Sequence, residues 1–378
     1  MTVVLTAEQR ELRSVVRSFF AERSPESAVR EQMSGPAGLD TATWKQLGEQ
    51  LGVQGMAVPE AYGGAGFSYV DLGIVLEAAG GALFPGPLLS TVLAAEAVLA
   101  AGDDAACADL LPRLTSEGAV GTLAVLEGPG RWADGEVSTR AEQQGTSWSL
   151  TGRKLHVPDG SISDLVVTTA RCDGGTALFA VETGAAGVTV QAVPTMDQTR
   201  RQAHVTFDAA PARLLAPPGA ADAAIARTLS AAAVFLAAEQ LGGAARALDM
   251  AVEYSRTRHQ YGRAIGSFQA IKHLCADIAT ALESARSAVY AGLEALDEDA
   301  TDLSLAASAA KVFCSETYST ATAACIQIHG AIGTTWEHPA HLYFKRAKSS
   351  ALLFGSPARH RELLAAALGL GTRIGELS

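Results

Sequence analysis

The chain has 378 residues, 48% of them hydrophobic and 18% charged, with a formal net charge of −11. That balance is globular and excludes a disordered chain, and the acidic surplus excludes nucleic acid as the main partner, since no phosphate-neutralising face is implied. At roughly 150 residues per domain, two or three domains are expected, and the charge stays compatible with a local basic site for a phosphorylated cofactor.

The N-terminus holds no basic start, apolar run or small-residue cleavage site, so no secretory signal is expected. Thr6 and Gln9 fit a capping box ahead of Leu12, Val15, Val16 and Phe19, which recur at helical spacing. A second helix is expected from about Thr41, then a turn-rich loop from Pro59 to Gly66 and a helix over about 68–80. After Pro85 and Pro87 an Ala/Leu helix follows at about 89–101. From about 118 to 217 the texture changes to short β-prone segments punctuated by Gly, Asp and Pro: Val120–Leu126, Ser147–Leu150, Leu165–Thr169, Ala177–Val181, Val188–Val193 and His204–Phe207. That is the pattern of an antiparallel sandwich or barrel.

Helical periodicity resumes after Pro217-Pro218-Gly219, with helices at about 220–256, 268–295, 302–328 and 357–370. Phe268, Ile271, Cys275, Ile278, Leu282, Ala285 and Val289 form one apolar stripe. The fold class expected is α+β: an N-terminal helical domain over 1–117, a middle antiparallel β domain over 118–217 and a C-terminal four-helix bundle over 218–378. No uncharged apolar run reaches the length of about 18 residues that a membrane span needs. The cysteines Cys107, Cys172, Cys275, Cys314 and Cys325 are scattered without a C-x-x-C pair, which predicts reduced thiols and a cytoplasmic protein.

The chemistry concentrates between Leu248 and His273. A helix end at Arg258, a turn through Gly262 and Gly266, and a new helix from Phe268 are expected there. An arginine offers a planar, two-pronged grip on a pyrophosphate that a lysine does not match, and Gln269 falls in the first turn of the new helix, where an anion is favoured. Alone, Arg258 reads equally well as a helix cap; the Gly and Gln spacing favours the ligand. Downstream lie Gln327-Ile328-His329-Gly330-Ala331-Ile332-Gly333 and then Glu337 and Pro339.

These two stretches resemble the signatures of the acyl-CoA dehydrogenase superfamily: an Arg-x-x-Phe/Tyr-Gly turn with Gly-x-x-Gln-Ala, and Gln-x-x-Gly-Gly-x-Gly followed by Glu-x-Pro. Ala331 stands where the family has its second glycine. The opening Leu5–Arg13, the Pro59–Gly64 loop and Leu150–Asp159 look like the same family's N-terminal and middle domains, so the resemblance covers essentially the whole chain.

The resemblance implies FAD bound across a subunit interface, with the isoalloxazine on one chain's β domain and the pyrophosphate and adenine touched by the neighbour. It implies cofactor contacts from Arg258, Gln260, Tyr261, Phe268, Gln269, Gln327, Gly330, Ala331 and Ser356, and substrate contacts from Asp249 and Tyr254. It also implies an acyl-CoA substrate, an electron-transfer protein as acceptor, and either a self-dimer or assembly with a homologous subunit. Neither a membrane nor a metal is implied; His338 and His341 are three apart but have no third ligand.

The pattern departs from the family at the chemistry itself. Counting from Glu337 and Pro339, the family's basic Glu of a Tyr-Glu-Gly-Thr stretch falls at Phe354. The seat used by a minority of members falls at Ala232. Loss of a positioned base typically costs roughly 10²–10⁴-fold in rate. Glu239, on the Ala232 helix, and His329, beside the cofactor motif, are the candidates for another base. The stretch from Leu126 and Glu127 to Asp134, and Lys154-Leu155-His156-Val157-Pro158, also depart from the family's flavin-packing sequences. The chain thus resembles the base-lacking subunit of actinobacterial α2β2 steroid-type acyl-CoA dehydrogenases, which implies that it helps hold a partner's FAD. Alternatives are a self-sufficient flavin oxidoreductase with an unusual base and a non-catalytic structural subunit.

Overall fold

The computed structural model describes residues 5–35, 40–128, 131–132 and 137–370. Among them six helices open the chain: α1 (Ala7–Arg23), α2 (Glu26–Ser34), α3 (Thr41–Leu51), α4 (Tyr69–Gly81), α5 (Leu88–Ala101) and α6 (Asp104–Thr115). Strands follow: β1 (Gly121–Ala124), β2 (Leu126–Gly128), β3 (Arg131–Trp132), β4 (Arg140–Gln144), β5 (Ser147–Pro158), β6 (Leu165–Cys172), β7 (Gly175–Glu182), β8 (Val188–Val193) and β9 (Gln202–Ala216). The C-terminal part holds α7 (Ala220–Thr257), a hairpin of β10 (His259–Gln260) and β11 (Arg263–Ala264), α8 (Gln269–Asp297), α9 (Leu303–His329), α10 (Ala340–Leu352) and α11 (Pro357–Ala367). The expected order of helical, β and helical domains is therefore present.

The capping box at α1 forms in full: Gln9 N–H donates to Thr6 Oγ1 at 3.1 Å and Thr6 N–H donates to Gln9 Oε1 at 3.1 Å. Three helices went unpredicted. α6 is announced by Asp103, whose carboxylate accepts from Ala105 N–H and Ala106 N–H, a signal obscured by Pro112 within its last turn. α10 starts behind Pro339 and carries three cations, Lys345, Arg346 and Lys348, over its buried face of Leu342, Tyr343 and Ala347. For α2, only Val29 is buried and the helix is short, so no clear periodicity existed to find.

The described chain packs as two compact units. One gathers Arg30–Leu72 and Pro85–Ala232 and contains the sheet. Strands β4, β5, β9, β7 and β6 pair in that order and β6 closes back onto β4. The ladders are antiparallel except that β6 pairs in parallel with β4 and with β1, Gly121 opposite Leu165. Leu150, Val166, Phe179, Val181, Val205 and Phe207 fill the interior, with the Trp148 and Phe179 rings 5.4 Å apart.

The other unit gathers the described parts of Met1–Val29, Gly73–Phe84 and Ala233–Ser378. Here α7 and α4 cross at their backbones: a Cβ on Gly80 would meet Glu239 O at 1.9 Å, and one on Gly242 would meet Glu77 O at 1.8 Å. No residue but glycine allows so close an approach. Buried Glu77 accepts from Arg286 at 2.9 Å and from Tyr290 O–H at 3.3 Å, and Arg13 donates to Tyr290 Oη at 2.8 Å. By length and composition α7 could cross a membrane, but 56% of its most apolar window is buried, as in the core helix of a globular protein. The apolar stripe of α8 is buried from Ile278 through Leu282, Ala285 and Val289, whereas Phe268, Ile271 and Cys275 are only half-covered.

Candidate functional site

Helix α7 ends at Thr257, and Arg258 N–H makes the closing bond to Tyr254 O at 2.9 Å. The chain then turns through β10 and β11, with Tyr261 (φ 53°) and Gly262 (φ 76°) as the two central residues. Two successive left-handed residues make a primed hairpin turn, which explains a glycine at the second position. Ile265 N–H returns to Arg258 O at 2.8 Å, and a Cβ on Gly266 would meet Ser255 O at 2.9 Å. The tip is braced by the Arg263 guanidinium, 4.1 Å from the Phe268 ring centroid, with the Tyr261 and Phe268 rings 6.2 Å apart.

Helix α8 begins at Gln269 behind Phe268, with no side-chain cap on its first amides. Those amides carry the positive end of the helix dipole and are free to meet an anion. Arg258, Gln260, Tyr261 and Gln269 are all exposed. The Arg258 guanidinium forms no ion pair among the described residues, while Gln260 Nε2 bonds back to His259 O at 2.8 Å.

At the end of α9, Gln327 is exposed and His329 is buried. Gly330 (φ 68°) opens a 3₁₀ turn from Gly330 to Thr334, in which Ala331 is exposed. The turn closes on itself through Thr334 Oγ1–H to Ala331 O at 2.8 Å and Thr335 Oγ1–H to Ile332 O at 2.8 Å. These glycine-led, outward-facing groups suit the pyrophosphate and adenine side of a dinucleotide: a guanidinium, free helix amides, two carboxamides and a backbone surface without a Cβ at Gly330.

The seat counted for the family's base is differently furnished. Phe354 is 4% exposed, with φ of 56°, and Gly355 follows at φ 104°. A left-handed phenylalanine costs of order 1–3 kcal/mol and persists only where its surroundings over-determine it. They do so here. His360 Nε2–H donates to Phe354 O at 3.0 Å while its Nδ1 lies 3.2 Å from Ser308 Oγ. Lys311, wholly buried, donates to Ser350 O at 3.0 Å, Ala351 O at 3.1 Å and Ser315 Oγ at 3.1 Å, satisfying the last carbonyls of α10 just before the turn. Ser315 in turn bonds Gln240. Ser356 serves as the cap of α11, accepting from Arg359 N–H at 3.3 Å. Ala232 is fully buried on α7.

The two candidates for an unusual base, Glu239 and His329, are both buried. Glu239 is not on the helix surface but buried, accepting from Arg346 Nη1 at 2.7 Å. His329 holds its Nδ1 2.7 Å from Cys325 O, and its ring is stacked on Tyr254 at 4.4 Å. Asp249 is exposed on the rim of a cavity of about 410 Å³ lined also by Phe20, Leu83, Arg246, Met250 and Tyr343. Tyr254 is not among that lining.

In the β-containing unit, Glu127 and Lys154 form an ion pair that sequence reasoning did not connect. Residues 129, 130, 133 and 134 of the stretch leading to Asp134 lie outside the described residues. Burial raises the Glu127 carboxyl, but the Lys154 ammonium and the donors of Ser138 and Thr139 outweigh it and hold it at about 2. Burial pulls Lys154 down to about 8 even beside its carboxylate. The Ser138 and Thr139 donors fix the Glu127 charge independently of Lys154. A depressed carboxyl contributes stability that is present above its ordinary value of 4.5 and lost as pH falls toward about 2. Melting temperature should therefore drop over that acid window, and Glu127→Gln should flatten part of the drop; identical acid profiles would exclude this pair as a contributor.

Within Lys154–Pro158, which departs from the family's flavin-packing sequence, β5 bulges and His156 takes φ 49°, its N–H 3.3 Å from His204 Nδ1 and its Nδ1 2.8 Å from Gln202 Oε1.

Comparison with known proteins agrees with this geometry. Residues 6–118 match the description "Acyl-CoA dehydrogenase, N-terminal domain" and residues 222–369 match "Acyl-CoA dehydrogenase, C-terminal domain". The chain is 38% identical to acyl-CoA dehydrogenase IpdE2 of Mycolicibacterium smegmatis, over 93% of this chain and 96% of the relative. Among solved structures it resembles the Tcur3481-Tcur3483 steroid ACAD, with a TM-score of 0.89, 31% identity and coverage of 96% of this chain and 98% of that one. It also resembles the ChsE4-ChsE5 complex from Mycobacterium tuberculosis, with a TM-score of 0.88, 26% identity and coverage of 98% and 99%. The chain belongs to the acyl-CoA dehydrogenase family of FAD-binding flavin oxidoreductases.

Proposed function

We propose that this chain is the subunit without the usual catalytic Glu in an α2β2 acyl-CoA dehydrogenase, and that it completes the FAD site of a homologous partner subunit. The observation that carries the reading is a contrast: buried Phe354 and Ala232 occupy the two seats of the base, while Arg258, Gln269 and Gln327 stand exposed. In this reading Arg258 clamps the pyrophosphate with parallel bonds and the first amides of α8 share its charge. Gln269 and Gln327 orient the nucleotide, and the turn at Gly330 lies against the adenine side. Bound FAD supplies the acceptor for the hydride that leaves the acyl β-carbon. The α-proton goes to a carboxylate of the partner, since Glu239 is held by Arg346 and His329 by its stack. Similarity to proteins named as two-component complexes, ChsE4-ChsE5 and Tcur3481-Tcur3483, supports the heteromeric form.

The substrate we propose is the CoA thioester of a steroid-derived acid, supported by the steroid acyl-CoA dehydrogenase among the similar structures. An electron-transfer protein would take the electrons onward. The five free cysteines are consistent with a reducing, cytoplasmic setting. The test is a visible absorption spectrum of the chain purified alone and again after co-expression with a dehydrogenase-like partner. A colourless chain that turns yellow and oxidises acyl-CoA only in the complex is expected. Stoichiometric flavin and acyl-CoA oxidation by the lone chain would overturn the reading; a complex whose partner keeps full flavin and activity without this chain would make it a structural subunit.

A further inference from the structure

We infer that Tyr254, His329 and His338 form a column of rings that fixes the two nucleotide-gripping segments to each other, making them positioning residues for cofactor binding. The inference rests on the reading of Arg258, Gln269 and Gln327 proposed above. Tyr254 lies one helical turn before Arg258 and accepts the Arg258 N–H at 2.9 Å, so its backbone is part of the end from which the hairpin springs. His329 is the last residue of α9, two after Gln327 and immediately before Gly330. The two rings stack with centroids 4.4 Å apart and planes 26° from parallel. His338 also packs against His329, with ring centroids 4.2 Å apart and planes tilted by 43°. The helix ends that carry the two motifs are far apart in sequence, and the column joins them in space.

Each ring is held in its own plane. His329 Nδ1–H donates to Cys325 O at 2.7 Å. His338 Nδ1 accepts from Ala340 N–H at 3.2 Å, which ties the column to the start of α10. The hairpin and the Gly330–Thr334 turn otherwise have local bonds of their own, within β10 and β11 and within the turn. Local bonds shape each segment; the stack sets the spacing between them, which a rigid dinucleotide needs fixed before it arrives. Tyr254 thereby serves the cofactor side, and His329 does so through its ring face.

The experiment measures FAD affinity by fluorescence titration of the deflavinated complex, together with the melting temperature of that FAD-free complex. Tyr254→Ala should weaken FAD binding about tenfold, and Tyr254→Phe should restore it, because the phenyl face alone makes the stack. His338→Ala, at a half-buried and more tolerant position, should weaken binding by about two- to tenfold with little change in melting temperature. Arg258→Gln is the control on the underlying reading. If it binds FAD as tightly as the unaltered complex, the reading fails and this inference with it. If Arg258→Gln weakens binding while Tyr254→Ala and His338→Ala do not, the reading stands and the column is overturned. A Tyr254→Phe variant as weak as Tyr254→Ala would also overturn it, since the ring would then not be what matters. Should Tyr254→Ala fail to fold, His338→Ala decides alone.

Discussion

Arg258→Lys in the assembled complex is expected to weaken FAD binding about 10- to 100-fold while leaving the melting temperature of the FAD-free complex unchanged. The charge is conserved, so a purely electrostatic contact would survive the change. What is lost is the planar fork, because an ammonium is a point donor on a flexible stem and cannot present two parallel N–H groups to neighbouring phosphate oxygens. Arg258 is exposed and supports no ion pair among the described residues, so the fold does not depend on it. Titration of the deflavinated complex with FAD checks the first half and a thermal scan the second. Unaltered affinity would mean that this guanidinium does not touch the pyrophosphate.

Arg346→Met should destabilise the helical unit by about 3–5 kcal/mol, because it leaves the Glu239 carboxylate buried without its cation. For a unit of this size that corresponds to roughly 10 °C in melting temperature. The Glu239 and Arg346 side chains are only 9% and 4% exposed and 2.7 Å apart, so solvent cannot replace the lost partner. Glu239→Gln strands the buried Arg346 guanidinium but should cost less, since an amide oxygen still accepts from it. The comparison also tests catalysis. A base at Glu239 would leave the folded Glu239→Gln complex inactive; an ion pair that only holds the helices together predicts a less stable complex that is active while folded.

The parts of the site legible in the sequence were those written in consecutive residues. Arg258, Gly262 and Gln269 sit on one turn between two helices, and the chemistry of helix ends is local. Phe354 was reached by counting alone, without gaps, from Glu337 and Pro339. The partners of buried charges were not legible. Glu239 finds Arg346, Glu77 finds Arg286, and Glu127 finds Lys154 across separations that no spacing rule reaches. For the same reason the sequence does not show that the rings of Tyr254 and His329 stack. The sheet shows the same limit: alternation revealed the strands, but the parallel pairing of β1 with β6 depends on which edge the chain reaches after a long excursion.

The turn at Phe354 separates a frame from its insert. Its left-handed course is held through main-chain carbonyls: Phe354 O accepts from His360, and Ser350 O and Ala351 O accept from Lys311. That mounting acts on the backbone, whichever side chain position 354 carries. Superposition of backbones is blind to that side chain: a protein of this family can match an active dehydrogenase over its whole length and still lack the one atom that takes the proton. The frame reports ancestry, and the insert reports chemistry.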